Sequence, residues 1–357
     1  MSRNTIAKIN LAALRHNLEV VRNLAPLSKV VCVIKADGYG HGIGRVAHAL
    51  TGADVFAVAT PGEARSVRDA GWDGRLLLLE GFANIDDFNL ARELGLELVI
   101  HQAYQLELLK RNGCSPGQKL WIKLDSGMHR LGFPIENSKV LIEEVKSVPG
   151  AGEPILMTHF ACADDPSLPM TQNQINLFDS AVSSFDYEQS LANSAAIINF
   201  NEASKDYVRP GIMLYGISPN NGKSGADYGL KPAMTLSCEL LAVNRCRKGD
   251  HVGYGASFTC EEDMTIGVAA IGYGDGYPRH LRSGTPVLLN GRRAKLAGRV
   301  SMDLITLDLR GHHSAEPGDE VVLWGDNLPV EEVAVWADAI PYELVCGVTG
   351  RVDRIEV

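Results

Sequence analysis

Polar side chains that can bind anions or react covalently follow several short apolar runs along the chain. They are Lys35, Lys123, Asp125, His159, Ser194 and Arg209. Each alone has an ordinary explanation, because a single lysine after a strand is commonly solvated and a single histidine is commonly a satisfied core residue. If the runs are parallel strands, their carboxyl ends meet at one edge. These side chains would then form one polar cluster.

Two of the following loops carry signals for phosphate binding. Ser194 can donate its hydroxyl, and Gly211 in Arg209-Pro210-Gly211-Ile212 lets the backbone approach an anion closely. A phosphate here, across from the Lys35 amine, is typical of a phosphorylated aldehyde held as a Schiff base. The natural candidate is pyridoxal 5'-phosphate (PLP). An ordinary turn at Pro210-Gly211 remains the alternative on these residues alone.

The elements that would position these groups read as repeated βα units. Eight apolar runs alternate with segments of helical length, at residues 30–34, 55–59, 76–79, 96–100, 120–124, 155–158, 190–193 and 207–209. Ile175, Phe178, Val182 and Phe185 recur at helical spacing, and Pro61 opens a segment that closes at Gly71. Eight such units fit a closed (β/α)8 TIM-type barrel better than an open sheet.

The pattern changes after residue 230. Met234, Leu236, Cys238 and Leu240 alternate with polar residues, Asn290-Gly291 is a hairpin signal, and residues 321–324 follow a turn at 317–319. We therefore predict an α/β plus β protein. Its two domains are a PLP-binding barrel at residues 1–229 and a mostly β domain at residues 230–357.

Composition excludes several classes of protein. The 357 residues are 45% hydrophobic and 22% charged with a net charge of −9, which fits a globular enzyme and disfavours nucleic acid as a partner. No apolar stretch approaches the about 20 residues of a membrane span, and no secretory signal is visible. The seven scattered cysteines form no C-x-x-C pair, which predicts reduced thiols in the cytoplasm and no metal site.

Six motifs, in order, closely resemble those of the alanine racemase family over nearly the whole chain. They are VIKADGYGHG at 33–42, KLDSGMHRLG at 123–132, THF at 158–160, RPGIMLYG at 209–216, VGYG at 252–255 and GRVSMD at 298–303. The resemblance implies a PLP enzyme that interconverts L-alanine and D-alanine, to supply peptidoglycan or for catabolism. It also implies a head-to-tail homodimer whose active sites borrow residues from the partner.

The resemblance implies a role for each matching residue. Lys35 would be the Schiff-base residue and the base on one face of the substrate, and Tyr254 from the other subunit would be the base on the opposite face. A hydrogen-bond chain would run from Tyr254 through His159 to Arg209, the partner of the pyridine nitrogen. Without the resemblance, Tyr254 reads as a buried tyrosine beside a glycine turn.

The remaining implied roles concern binding. Phosphate would contact Tyr39, Ser194, the backbone N–H groups of Gly211 and Ile212, and Tyr342. The substrate carboxylate would meet Arg130 and the backbone N–H of Met302. Lys123 matches a lysine that is N-carboxylated in many members, the alternative being an unmodified lysine that repels Arg130. The implied inner gate and corridor hold Asp164, Tyr273, Arg279 and Arg299.

Two departures and two rival enzymes bear on this interpretation. Gly274 stands where alanine is frequent and Ser301 where some members have cysteine, so a racemase of broader specificity remains an alternative. A PLP-dependent decarboxylase of similar fold would pair the pyridine nitrogen with an acidic residue, whereas Arg209 occupies that position. A metal-dependent amidohydrolase would need a His-x-His pair near the first strand, where Lys35-Ala36-Asp37 stands.

Overall fold

The computed structural model describes residues 4–357, and the first part of the chain forms a closed barrel. After a separate strand, β1 (Ile6–Ile9), all eight apolar runs are strands whose bounds differ from the predicted ones by at most one residue. The barrel strands are β2 (Lys29–Val33), β3 (Val55–Val58), β4 (Leu76–Leu78), β5 (Glu97–Ile100), β6 (Leu120–Asp125), β8 (Ile155–Met157), β9 (Gln189–Asn193) and β10 (Tyr207–Arg209), while β7 (Phe133–Pro134) pairs with β6 outside the ring. All neighbouring barrel strands are parallel, and pairing of β10 with β2 and of β5 with β6 closes the ring. The predicted barrel is confirmed.

Helices follow the barrel strands along the chain, and the longer ones bury one apolar face. They are α1 (Leu11–Leu24), α2 (Lys35–Tyr39), α3 (Ile43–Ala49), α4 (Pro61–Asp69), α5 (Ile85–Glu93), α6 (Ala103–Asn112), α7 (Ser138–Lys146), α8 (Met170–Val182) and α9 (Ser194–Asn199). Ile175, Phe178 and Val182 are buried on α8, as their spacing predicts. Pro61 occupies the first turn of α4, where its missing N–H costs no hydrogen bond.

The second part of the chain is mostly β, as predicted. Its strands are β11 (Met234–Cys246), β12 (His251–Val252), β13 (Phe258–Thr259), β14 (Met264–Ala269), β15 (Pro286–Leu289), β16 (Arg292–Leu296), β17 (Ile305–Asp308), β18 (Glu320–Trp324) and β19 (Asp353–Glu356), with helices α10 (Val330–Trp336) and α11 (Pro341–Cys346). Six of these strands close on themselves in the antiparallel order β14-β17-β16-β15-β18-β11. Asn290 and Gly291, at φ 47° and 76°, form the predicted two-residue turn between β15 and β16.

The first strand belongs to this second sheet. β1 pairs antiparallel with β11 and parallel with β19, with Ala7 and Ile9 buried. The proposed division into residues 1–229 and 230–357 therefore leaves one strand of the second sheet in the first segment. Its four residues pair with strands more than 200 positions away, and no local pattern signals such a pairing. None of the helices between residues 4 and 357 has the length and apolar character of a membrane span.

A polar network closes the amino-terminal end of the barrel. Glu97 receives hydrogen bonds from Arg75 at 2.5 and 3.1 Å and from the Trp121 indole at 2.7 Å. Arg75 also donates to the Tyr207 hydroxyl at 3.0 Å, and that hydroxyl donates to Glu188 at 3.1 Å. Because each charge in this network has an opposite charge beside it, we expect the network to stabilise the barrel rather than to bind ligands.

Glu188 should make stability depend on pH in the acid range. Burial pushes the pKa of its carboxyl up, but hydrogen bonds and charges from Lys119 and Lys29 outweigh burial and lower the pKa from 4.5 to about 2. The stabilisation is therefore present above about pH 4.5 and is lost as the pH falls towards 2. We expect Glu188→Gln to lower the urea midpoint of unfolding at pH 7, with the difference from the wild type narrowing below pH 4.5.

The matched control is Glu93→Gln, which removes an exposed carboxylate paired with Arg65 on the surface. Because exposed ion pairs contribute little, that variant should unfold at nearly the same urea midpoint as the wild type at every pH. A difference between Glu188→Gln and the wild type that stays constant from pH 7 to pH 3 would contradict the assignment.

Candidate active site

A cavity of about 670 Å³ opens at the carboxyl ends of the barrel strands. Ten of the residues singled out in the sequence line it: Lys35, Tyr39, Lys123, Arg130, His159, Ser194, Arg209, Gly211, Ile212 and Tyr342. The first nine follow or end barrel strands, and Tyr342 comes from α11 in the second part of the chain. Barrel closure therefore gathers side chains from segments that lie far apart in the sequence.

Lys35 begins a turn with an unusual backbone. Ala36, Asp37, Gly38 and Tyr39 all have left-handed conformations, with φ of 52°, 53°, 61° and 52°. Each non-glycine residue costs about 1–2 kcal/mol there, so such runs persist only where the surroundings hold them. His41 is one such support, because its Nδ1 lies 2.8 Å from the Tyr39 carbonyl and 3.1 Å from that of Gly38. The turn brings both Lys35 and Tyr39 to the cavity.

Arg209 is buried at the end of β10 and is fixed by five hydrogen bonds. Its Nη1 donates to the carbonyl and hydroxyl of Ser190, at 2.8 and 2.7 Å. Its Nη2 donates to the carbonyls of Thr158 and Leu191, at 2.7 and 3.2 Å, and to His159 Nδ1 at 3.2 Å. Among the described residues no partner takes the Nε–H. Burial lowers the pKa of the guanidinium only to about 10, so Arg209 stays charged at neutral pH.

His159 is neutral for two reasons. Burial lowers its pKa well below the usual value, and the charges of Arg209 and Lys123 lower it further. Because Arg209 donates to Nδ1, that nitrogen is an acceptor and the ring proton lies on Nε2. His159 can therefore donate a hydrogen bond from Nε2 into the cavity.

The cavity has a surplus of positive charge. Burial lowers the pKa of Lys123 to about 8, and Arg209, Arg130 and Lys35 lower it in the same direction. The nearest carboxylate on the strand, Asp125, accepts the N–H groups of residues 127, 128 and 129 and so organises the loop before Arg130. Such a set of cations suits a ligand with several negative charges.

Ser194 and Gly211 meet beside Tyr39. The Ser194 hydroxyl accepts the Gly211 N–H at 2.9 Å, which leaves its own hydrogen for a ligand. A phosphate could bind the Gly211 N–H, as the sequence predicts, only by sharing it with this hydroxyl. A Cβ on Gly211 would come within 2.4 Å of the Tyr39 hydroxyl, so a larger residue there would displace the Tyr39 side chain. The Ile212 N–H lies in the same loop.

The other predicted residues do not reach this cavity within one chain. Tyr254 lies on the exposed loop between β12 and β13, and Tyr273 and Met302 are also exposed. Arg279 and Arg299 line a second cavity of about 590 Å³ in the β part of the chain. Asp164 lines a third, of about 280 Å³, which shares Tyr342 with the first. The structure thus separates the predicted set into two groups.

Sequence reasoning missed several residues that line the first cavity. They are Val33, Ala36, Leu79, Glu80, Leu131, Met157, Asn193 and Cys346. Cys346 lies four residues after Tyr342 on α11, a spacing that puts both on one helix face. Asn193 immediately precedes Ser194 and caps α9 through the Ala196 N–H. Cys346 could have been found from its helical spacing to Tyr342, and Asn193 from its position next to Ser194.

Comparison with known proteins decides the family. The sequence model for "Alanine racemase, N-terminal domain" matches residues 9–219, and that for "Alanine racemase, C-terminal domain" matches residues 233–356. The chain belongs to the alanine racemase family. The alanine racemase of Nitrosococcus oceani is 50% identical over 98% of both chains, and that of Coxiella burnetii is 44% identical over 100% of both.

Solved structures of alanine racemases have the same fold. The biosynthetic alanine racemase of Pseudomonas aeruginosa matches with a TM-score of 0.96 and 44% identity, over 99% of each chain. That of Bartonella henselae, determined with covalently bound pyridoxal phosphate, matches with a TM-score of 0.90 and 27% identity over 99% of each. The predicted activity and cofactor are confirmed: this chain is a PLP-dependent isomerase that interconverts L-alanine and D-alanine.

The groups in the cavity fit PLP. The unpartnered Nε–H of Arg209 can meet a pyridine nitrogen, and the Ser194 hydroxyl can meet a phosphate. The surplus of cations matches the charges of a phosphate and of a substrate carboxylate. Lys35 supplies an amine on the same rim for the aldehyde.

Gly274, one of the two expected departures from the family pattern, packs closely against its neighbours. A Cβ there would come within 2.2 Å of Arg351 Nη1 and 3.1 Å of the Met302 carbonyl. Arg351 in turn contacts Asp303 at 2.6 Å and Asp275 at 3.3 Å. In this chain Arg351 therefore occupies the space next to Gly274.

The lowered pKa of Lys123 predicts that this lysine takes up carbon dioxide as a carbamate. Carbamate formation needs the neutral amine, whose fraction grows as the pH rises through about 8, and the product anion would be stabilised by the neighbouring cations. We expect a carbamate resonance in the ¹³C NMR spectrum after addition of ¹³C-bicarbonate, stronger at pH 8.5 than at pH 7. Lys123→Met should remove it, and Lys139→Met, at an exposed lysine, should not. Absence of the resonance at every pH would favour the unmodified lysine.

Proposed function

We propose that the enzyme works as a head-to-tail homodimer in which each active site joins the barrel mouth of one subunit to the β domain of the other. The observation that carries this is the separation of the site residues into two groups. Ten line the barrel cavity, whereas Tyr254 is 69% exposed and Met302 52% exposed. Exposed large apolar side chains of this kind are frequent on surfaces that a partner covers.

Racemisation needs proton transfer on both faces of the substrate Cα. When bound, PLP withdraws electrons from Cα and makes its proton acidic. We assign the Lys35 Nζ to one face, where it also holds the cofactor aldehyde between turnovers. We assign the hydroxyl of Tyr254 of the partner subunit to the other.

Arg209 and His159 would control how strongly the cofactor withdraws electrons and how readily the tyrosine hydroxyl gives up its proton. The Arg209 Nε–H would bond the pyridine nitrogen, and a guanidinium does not give up its proton at neutral pH. The ring nitrogen then stays unprotonated, which limits electron withdrawal and favours return of the proton to Cα over side reactions. The His159 Nε2–H would face the hydroxyl of Tyr254 of the partner subunit and support its negative charge.

The remaining groups would bind the cofactor phosphate and orient the substrate. Phosphate would be held by Tyr39, Ser194, Ile212 with Gly211, and Tyr342. The substrate carboxylate would be held by Arg130 and by the backbone N–H of Met302 of the partner subunit, with Lys123 as a carbamate bonding Arg130. The corridor would be lined by Asp164, and by Tyr273, Arg279 and Arg299 from the partner subunit.

We place the enzyme in the cytoplasm, where D-alanine is made for peptidoglycan or degraded. The support is that all seven cysteines lie within the described residues and are free thiols.

Lys35→Ala should remove both the activity and the cofactor's visible absorbance. Incubation of wild-type protein and PLP with L-alanine should yield D-alanine by chiral chromatography, and the variant should lower kcat by at least about 10³-fold. Lys139→Ala, at an exposed lysine, should leave rate and absorbance unchanged. A Lys35→Ala protein that stays yellow after dialysis would contradict the assignment.

Mixed dimers test whether the sites are shared. If Lys35→Ala and Tyr254→Phe subunits assort at random, half of the dimers are mixed and each has one intact site, which restores about one quarter of wild-type activity. Lys35→Ala mixed with Arg130→Ala should show no such gain, because both defects lie at the barrel mouth. Activity no greater than that of the separate variants in the first mixture would argue against shared sites.

A further inference from the structure

Glu63 makes a contact that its own helix does not need. One carboxylate oxygen accepts the Ala36 N–H at 2.7 Å, and the other accepts the N–H groups of Ala59 and Thr60, at 2.8 and 3.2 Å. Thr60 and Glu63 form the capping box of α4, in which the Thr60 hydroxyl accepts the Glu63 N–H. The hydrogen bond to Ala36 is not part of this capping box and connects Glu63 to the residue that follows Lys35.

We infer that Glu63 is a positioning residue that fixes Lys35, and this rests on the proposed role of Lys35. Its carboxylate joins the ends of two neighbouring barrel strands, β2 through Ala36 and β3 through Ala59. β3 is paired with β2 and is fully buried, so it provides a rigid reference. Because it is bonded to both segments, the carboxylate restrains the peptide unit between Lys35 and Ala36 relative to β3.

The backbone conformation explains why such a support is needed. Ala36 is the first left-handed residue of the turn and carries a Cβ, which disfavours this conformation. The later residues of the turn are held by other bonds, including Gly40 N–H to Ala36 carbonyl and Gly42 N–H to Asp37 carbonyl, at 2.9 and 2.8 Å. The Ala36 N–H has Glu63 as its partner at the start of the turn. Release of this bond would let the Lys35 backbone shift, and a shift of about 1 Å at a reacting group can cost about 10²-fold in rate.

The Glu63→Gln variant distinguishes a role in positioning Lys35 from a role in packing alone. A carboxylate accepts at both oxygens, whereas an amide has one acceptor oxygen and a donor NH₂ of nearly the same shape. Either orientation in Glu63→Gln places the NH₂ against a backbone N–H, of Ala36 or of Ala59 and Thr60. The matched control is Thr60→Val, which removes the capping hydroxyl and leaves the Glu63 carboxylate and its bond to Ala36.

The first measurement uses the cofactor-free protein. Amide hydrogen exchange in residues 34–42 should be at least about tenfold faster in Glu63→Gln than in the wild type, and unchanged in Thr60→Val. Both variants should lower the thermal midpoint by similar small amounts, since both weaken the same cap. Glu63→Asp, which keeps the charge but is shorter by one methylene, should also speed exchange and serves if Glu63→Gln does not fold.

The second measurement uses the loaded enzyme. Glu63→Gln should keep its visible absorbance, change the circular dichroism of that band, and lower kcat about 10- to 100-fold in both directions with KM for alanine within about threefold. Thr60→Val should keep both the band and kcat. An equal loss of kcat in Thr60→Val, or wild-type exchange and kcat in Glu63→Gln, would overturn the inference. Failure of the Lys35 assignment would be seen separately, as a Lys35→Ala protein that retains the band.

Discussion

Unbalanced positive charge at the barrel mouth is the constraint on which the site depends. Four cations face one cavity, and burial together with mutual repulsion lowers the pKa of Lys123 to about 8. The fold tolerates this arrangement because Arg209 is surrounded by backbone carbonyls, whose dipoles replace the missing counter-charges. An anionic ligand relieves the repulsion. The geometry of the protein alone thus favours a phosphate and a carboxylate over a neutral ligand.

Within residues 4–357, charged side chains are paired with opposite charges at one end of the barrel and lack such pairing at the other. At the amino-terminal end, Arg75 is paired with Glu97, and Glu188 is paired with two lysines. At the carboxyl-terminal end, four cations line the cavity and Glu80 is the one carboxylate among the described residues that line it, with Asp125 nearby on β6. Charge balance contributes stability, and imbalance stores binding energy for a ligand. The amino-terminal rim of the barrel therefore contributes to stability, and the carboxyl-terminal rim holds the site that binds ligands.

The sequence allowed most of the fold to be predicted, because its signals are local. Buried parallel strands read as apolar runs, and an Asn-Gly pair between strands specifies a tight hairpin. The pairing of β1 with β11 and β19 depends on contacts more than 200 positions apart and has no local signal. The left-handed run after Lys35 is also unpredictable from propensity, since alanine and tyrosine disfavour this conformation and distant groups such as Glu63 hold it.

The part of the site on the barrel was predictable residue by residue, whereas the placement of the other site residues was not. Spacing placed the strand-end residues on one rim, and the closed barrel brings them together. It could not indicate that Tyr254 and Met302 would stand exposed on another part of the chain. That separation is a property of three-dimensional placement, and motif order along the chain carries no information about it.

The need for proton transfer on two faces of the substrate is the argument behind the proposed shared site. The residues that line the barrel cavity come from the ends of the barrel strands, from the loops after them and from α11. A base for the opposite face must come from an element that stands over the mouth. In this chain the exposed hairpin β12 to β13 presents Tyr254 outward on a glycine-flanked turn, with left-handed Gly253 and Gly255 on either side. This outward placement of Tyr254 is the reason for proposing that it completes the active site of a second subunit.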